Sequence, residues 1–362
     1  MNSPTSPLTA IPKSPGFWQE SWGRFRRRWL PMLALRLVLV LGLIAILSPA
    51  IVGTKPLVCR YQGTLYFPCL GYYSPKWEAA FAGRPFYKIY PKPLKENDPD
   101  SWAIWPINYN DPIRAVEAEE VPGRPANPRS GPPSKLNWFG TDSRGYDVFA
   151  LMVHGTRTAL LVGFVSMGIA AVIGITFGAL AGYFGGWVDI VLSRLIEVVM
   201  CIPTLILILA LIAVIESPSI MHMMAVIGLT SWTGIARLTR GEFLKLKEME
   251  YVAAARVLGA SHARIILRYL LPNSLAPVLV PITFGIAAAI LIETALSYIG
   301  FGAPPPNPSW GQLLRSGQAN HQNWWLILFP GLGVFLTVLS YNLIGEGLQE
   351  ATDPRLREAG RA

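Results

Sequence analysis

The sequence predicts an all-α protein that crosses a membrane six times. Three observations carry that expectation. Of the 362 residues, 52% are hydrophobic and only 15% are charged, where a soluble domain has about a quarter charged. The apolar residues are gathered into runs long enough to cross a bilayer. The Lys and Arg residues outside those runs are distributed unevenly between the two sides they define. A net charge of +9 is therefore read through its placement, not as a nucleic-acid footprint. No basic–aromatic recognition pattern accompanies it.

Residues 1–29 are Pro- and Ser-rich, then basic, with Arg24, Arg26, Arg27 and Arg28 just ahead of the first apolar run. They read as a tail, disordered up to about Phe17. The run 30–52 is apolar apart from Arg36, which can snorkel toward the charged end. It exceeds the 7–15 apolar residues of a signal peptide, so it reads as an uncleaved first span.

Residues 53–150 form the one large polar segment and hold 14 of the 31 prolines, together with Trp77, Trp102, Trp105 and Trp138. That composition is too aromatic for a linker and too rich in proline for long helices, so a small irregular insert is expected. Alternation from Val58 to Phe67 around Gln62-Gly63 predicts a hairpin. Cys59 and Cys69 are either a disulfide or two free thiols, and Cys201 lies inside an apolar run. His154, His222, His262 and His321 are scattered, with no metal-ligand spacing. The insert reads either as a cap beside a pore or as a spacer.

The remaining spans are expected at 158–181, 195–215, 220–238, 276–300 and 324–348, making 151–349 the membrane core. Gly163, Gly168, Gly174 and Gly178 suit close helix packing in the second span. Residues 182–189 read as a loop. Glu197 lies near the start of the third span, and Pro203 predicts a kink in it. Pro277 and Pro281 fall in the first turns of the fifth span, where proline is best tolerated. Residues 301–311 read as a rigid loop, and 350–362 as a short basic tail.

Charge then orients the chain. The N-terminal tail has five Lys/Arg, residues 183–194 one, 237–268 seven and the C-terminal tail three, while the opposite short loops hold only Arg315. The positive-inside rule places both termini and the 237–268 loop in the cytoplasm. The 53–157 stretch, with 13 basic and 10 acidic residues, is too long for the rule and falls outside.

The loop between spans four and five contains the most distinctive stretch, Glu250 to Pro272. Tyr251, Ala254, Ala255 and Leu258 recur at i, i+3, i+4 and i+7, one stripe of a short helix. Glu248 and Glu250 sit at its positive end and Arg256 near its negative end. Gly259 suits the left-handed residue that closes a helix, and Ser261 suits the cap of a second helix. Arg264 and Arg268 share a face of that helix, and Pro272 is expected to interrupt it. Periodicity alone leaves a docking element and a surface linker equally open.

Ala254-Ala255, three residues, Gly259, then Leu271-Pro272 resembles the EAA loop by which ABC-importer permeases dock on their ATPase subunit. Ala253 stands where that family often has Glu, and Tyr269 where it has Ile. Asn137-Trp-Phe-Gly-Thr-Asp-Ser-Arg-Gly-Tyr-Asp-Val-Phe149 resembles the signature ahead of the second helix in dipeptide/oligopeptide/nickel permeases, with Tyr146 in place of Arg. Read physically, Gly140, Gly145, Asp142 and Asp147 make a tight turn there. Glu293-Thr-Ala-Leu-Ser-Tyr-Ile-Gly-Phe-Gly302 and Pro308-Ser-Trp310-Gly311 resemble two further stretches of the same family. Glu293 either lines the pore or bonds to a neighbouring helix, and Glu346 reads as an interfacial charge. Lys55 to Pro68 resembles the enlarged first external loop of the microcin C-type oligopeptide permeases.

The resemblance implies a type I ABC importer permease fold in the bacterial inner membrane. It also implies a second, homologous permease subunit, two ATP-binding subunits and a periplasmic substrate-binding protein. Ala253, Ala254, Ala255, Leu258, Gly259, Leu271 and Pro272 would couple to the ATPases. No Gly-Lys dipeptide occurs, so the chain has no Walker A loop. ATP and Mg are expected in the partner subunits, no cofactor or metal is expected in this chain, and the chain is not expected to be an enzyme. Two other classes compete with that reading. An ion-gradient-driven transporter would carry midplane charges and related halves, and a receptor subunit would bind through the external insert alone. Peptides, opines, nickel and cell-wall fragments are all open as substrate.

Overall fold

The computed structural model describes residues 17–74, 76–77, 94–96, 98–302, 304 and 306–352. The expected disorder before Phe17 and the basic tail after Thr352 lie outside them. Among the described residues, eleven α-helices and three short strands follow in order, with one 3-10 helix (Pro68–Tyr72) after the second strand: α1 (Phe17–Arg27), α2 (Trp29–Ile51), β1 (Val58–Tyr61), β2 (Thr64–Tyr66), β3 (Trp102–Ile104), α3 (Val148–Phe184), α4 (Gly186–Cys201), α5 (Thr204–Ala213), α6 (Ile220–Ser231), α7 (Thr233–Leu246), α8 (Glu250–Val257), α9 (His262–Ile299), α10 (Trp310–Ala319) and α11 (Trp325–Thr352).

Among the described residues, four helices, α2, α3, α9 and α11, are long and apolar enough to cross a membrane, and α4 with α5 makes a fifth candidate bent by 85°. That bend falls at Ile202-Pro203, so the expected kink is a full break. Pro203 has no N–H to give, and its ring excludes a continuous helix. The expected fourth span is a pair, α6 and α7, meeting at Trp232. Only the 12 residues of α6 form a short apolar helix.

The centre is α3, which packs against α2, α6, α7 and α9. Its 37 residues make a rod of about 55 Å, well beyond a hydrocarbon core of about 30 Å. It begins ten residues earlier than expected, because Asp147 caps it. The Ala150 N–H donates to Asp147 Oδ1 at 2.8 Å. It also runs through the expected loop at 182–189, where only Gly185 (φ +65°) separates it from α4.

Glycine lets α7 lie directly on α3. A Cβ at Gly174, Gly178 or Gly182 would stand 2.7 Å from Trp232 O, 2.5 Å from Ala236 O and 2.6 Å from Phe243 Cβ respectively. The i, i+4, i+8 spacing puts all three on one face. Arg240 on α7 also forms a bidentate pair with Asp189 in the first turn of α4, with Nη2 to Oδ2 at 2.7 Å.

In the insert, β1 pairs antiparallel with β2 and with β3, in the order β2-β1-β3. Gln62 (φ +49°) and Gly63 (φ +78°) form the turn between the first two strands, as the alternation predicts. Cys59 and Cys69 are free thiols. Burial pushes Cys59 up to about 11, which leaves it almost wholly protonated at neutral pH.

Two helices have no counterpart in the expectation. The first, α1, packs its Phe25 against Gly347 of α11. The second, α10, lies within what read as loop and unspanned sequence between spans five and six.

Candidate functional site

The stretch from Glu250 is a helical hairpin at the foot of the bundle. α8 is closed by three backbone bonds. Leu258 N donates to Ala254 O at 3.0 Å, Gly259 N to Arg256 O at 2.9 Å and Ala260 N to Ala255 O at 3.0 Å. With Gly259 at φ +76°, this is the Schellman closure that glycine permits. Glu250 occupies the first turn and Arg256 the last, both favourable to the helix dipole. Ser261 then caps the next helix, accepting from Arg264 N at 3.4 Å.

Pro272 does not end that helix. α9 runs unbroken from His262 to Ile299, so the expected second short helix is the first part of the fifth span. The reason is a π-turn at Ile265–Leu270, directly ahead of the proline. There Leu271 N bonds to Ile266 O, five residues back, and this wider winding makes room for the ring.

The hairpin stands on an apolar seat. Val252 of α8, Ile265 and Leu270 of α9, Phe243 of α7, and Ala179 and Tyr183 of α3 form one buried cluster. Tyr183 Oη and His262 Nδ1 lie 2.7 Å apart across its edge. The cluster thus joins α8 to residues of α3, α7 and α9.

The outward face differs from the expected stripe. Val252 and Ala255 are buried, so Ala255 faces the seat, whereas Ala253, Ala254 and Gly259 are exposed. Val257 and Leu258 are 88% and 85% exposed, and Tyr251 39%. This is an apolar tip bordered by small residues, with Arg256, Arg264 and Arg268 exposed beside it. Leu271 is half-buried behind the seat and Pro272 is exposed.

At the other end of the bundle, the 137–149 stretch is a structural turn. Asp142 Oδ1 accepts from Arg144 N and Tyr146 N at 2.8 and 2.9 Å. Asn137 Nδ2 donates to Asp147 Oδ2 at 2.9 Å. Trp325 Nε1 donates to Thr141 O at 3.1 Å, tying the turn to α11. Burial raises Asp147 from its ordinary 3.8 to about 6, although its bonds to Asn137 and Ala150 pull the other way.

Glu293 is 1% exposed. Its Oε1 accepts from Ser297 Oγ and Ser309 Oγ, both at 2.7 Å, and Ser309 in turn caps α10. Within this chain it is a buried acceptor joining α9 to α10. Glu346 is exposed. A cleft of about 470 Å³ lies where the insert meets α3, α6 and the 306–308 segment. In its wall, the Arg157 guanidinium covers the Tyr73 ring at 4.4 Å and Nη1 donates to Tyr72 O at 3.2 Å. His154 Nε2 lies 2.9 Å from Val52 O, which requires that nitrogen to carry the proton. No sequence motif pointed to this cleft.

Residues 174–358 match the family described as binding-protein-dependent transport system inner membrane component. That span contains the hairpin, its seat and Glu293. The chain belongs to this family. Residues 16–62 match the N-terminal transmembrane domain of oligopeptide transport permease C.

An inner membrane ABC transporter permease protein, YejE of Escherichia coli K12, is 36% identical over 93% of this chain and 96% of its own. A peptidoglycan transport system permease protein, YejE of Agrobacterium fabrum, is 33% identical over 95% of both. A dipeptide transport system permease protein, DppC of Alkalihalophilus pseudofirmus, is 39% identical over 64% of this chain and 76% of its own. The first two alignments take in nearly the whole chain, insert included. A chain of the inward-facing MetNI methionine ABC transporter aligns over 57% of this chain and 98% of its own, at 20% identity and a TM-score of 0.45. As a member of this family, the chain is a multi-pass inner-membrane permease of the type I importer fold and a transport subunit of an ABC importer. The ion-gradient and receptor alternatives are not favoured.

Proposed function

We propose that this permease forms half of a translocation pathway for peptides or peptide-bearing solutes. A second, homologous permease subunit completes the pathway, and the 250–264 hairpin couples it to ATP-binding subunits. Support for the substrate class comes from the relatives, which are named for dipeptide and peptidoglycan transport. A periplasmic binding protein delivers the solute to the face bearing the insert. ATP and Mg are held by the partner subunits. The uneven spread of Lys and Arg supports cytoplasmic termini and a cytoplasmic hairpin.

The observation that carries the coupling role is the pairing of an exposed apolar tip with a fully buried seat. Val257 and Leu258 are almost wholly exposed, while Val252, on the same helix, is 0% exposed and belongs to a buried cluster with residues of α3, α7 and α9. A tip of this kind is an anchor for a partner's groove. When the ATP-binding subunits close, the tip is displaced and the seat carries α7 and α9 with it, alternating access.

Ala254→Arg places a long cation on the contact face, and Gly259→Pro imposes φ near −65° where +76° is required. In an importer assembled with either variant, transport and substrate-stimulated ATP hydrolysis should both fall to background. Unchanged transport in both variants would remove the coupling role from this hairpin.

A further inference from the structure

Five arginines meet at the elbow between α1 and α2. Arg24, Arg26 and Arg27 lie in the last turn of α1, Arg28 is the extended residue at the joint, and Arg36 lies two turns into the apolar α2. Two of them face carboxylates: Arg24 with Glu20 at 4.0 Å, and Arg28 with Glu350 of α11. Arg26, Arg27 and Arg36 form no ion pair among the described residues. These three line one pocket of about 410 Å³, whose other walls are Trp29, Met32 and Leu33. The flanking sequence brings no surplus acid. Residues 1–16 contain no Asp or Glu, and residues 353–362 contain two acids against three arginines.

Three like charges drawn from two helices to one pocket repel, the more so beside hydrocarbon, where the effective dielectric is low. An anion at their centre reverses the sign of that energy. The setting indicates which anion. Trp22 and Trp29, 48% and 72% exposed, mark headgroup depth, where tryptophan collects. Met32 and Leu33 give the pocket an apolar floor that continues along the span. Arg36, exposed within an otherwise apolar helix, reaches the cluster by snorkelling.

We propose that the elbow binds the phosphate of an anionic glycerophospholipid. Arg26, Arg27 and Arg36 surround the headgroup, and an acyl chain lies along Met32 and Leu33. Because Phe25 packs on Gly347 and Arg28 pairs with Glu350, a lipid held here also fixes α1 against α11. The site is independent of the coupling role and of the substrate, so its failure would leave both untouched.

The test uses the full-length chain in nanodiscs of phosphatidylcholine, with and without phosphatidylglycerol, read by native mass spectrometry of retained lipid. Wild type should retain phosphatidylglycerol in preference to phosphatidylcholine. R26Q/R27Q/R36Q should bind it on the order of a hundredfold more weakly, at about one headgroup interaction per arginine. R60Q/R129Q/R194Q, which makes the same change in net charge elsewhere, should bind as wild type. Equal loss in the two triple variants would reduce the effect to net charge and overturn the site. Displacement by excess inorganic phosphate as effective as that by phosphatidylglycerol would make it a free-anion site instead. The single variant R36Q, which leaves α1 unaltered, gives the same readout should the triple variant misfold.

Discussion

At the scale of single residues, two glycines are required for opposite reasons. At Gly259 an added Cβ meets nothing within 4 Å, but φ is +76°. At Gly178 the Cβ would stand 2.5 Å from Ala236 O and 2.6 Å from Thr239 Cβ. Gly259→Ala should therefore cost about 1–2 kcal/mol of backbone strain. That loss should be confined to the hairpin and visible as faster hydrogen exchange at Leu258 and Ala260. Gly178→Ala should instead cost about 1–3 kcal/mol through overpacking, lowering the melting temperature of the whole bundle. Glu293 gives a third contrast. Gln retains a carbonyl acceptor for Ser297 and Ser309, so Glu293→Gln should keep stability and transport. Glu293→Ala leaves two buried hydroxyls without it and should cost about 1–3 kcal/mol in thermal unfolding. Lost transport in a stable Glu293→Gln variant would show that the charge itself acts in the pathway.

Asp147 adds a pH dependence. Its folded value, about 6, lies above the ordinary 3.8, so the protonated form is favoured by folding. The stability it contributes is full below about 3.8 and is lost as pH rises through about 6, on the order of 3 kcal/mol in all. Melting temperature should rise as pH is lowered from 7 toward 4, and Asp147→Asn should flatten that part of the profile.

At the scale of elements, the hairpin was the most legible part of the chain. Its break, its Gly259 closure and its Ser261 cap all follow from local chemistry that the sequence states openly. The outward stripe was only half legible. Periodicity groups Ala255 with Ala254, but the direction of the seat, set by Phe243 and Ile265 from other helices, turns Ala255 inward. Pro272 misled because a proline rule applied residue by residue does not see the π-turn that accommodates it. The helices α1 and α10 were missed for lack of a long apolar run. Trp310, Leu313 and Gly317, buried along one face of α10, show that a search at helical period was the signal to use. Gly182 read as loop for a similar reason, although it continues the Gly174 and Gly178 face. The Asp189–Arg240 pair joins elements 51 residues apart, a contact that spacing does not reveal. Asp189→Arg or Arg240→Asp alone should loosen α4 from α7 and lower transport, and the double exchange should restore part of it.

At the scale of the whole molecule, α3 joins the two ends of the bundle. Its N-terminal end is fixed by the 137–149 turn and borders the cleft with Arg157, and its C-terminal end forms the hairpin's seat through Ala179 and Tyr183. One rod thus connects the place where solute would enter with the place where a partner would push. The orientation expected from charge rests on the sharp difference in Lys and Arg between the short loops, whereas the insert's architecture depends on a small sheet in which β3 pairs Ala103 with Cys59, a contact that local alternation does not reveal. In the proposed importer an ATP-binding subunit buries the Leu258 tip. The most direct measurement is labelling of Leu258→Cys by a polar maleimide, in the permease alone and in the assembled importer. Rapid labelling in the first and strong protection in the second is the predicted result. Equal labelling in both would contradict it.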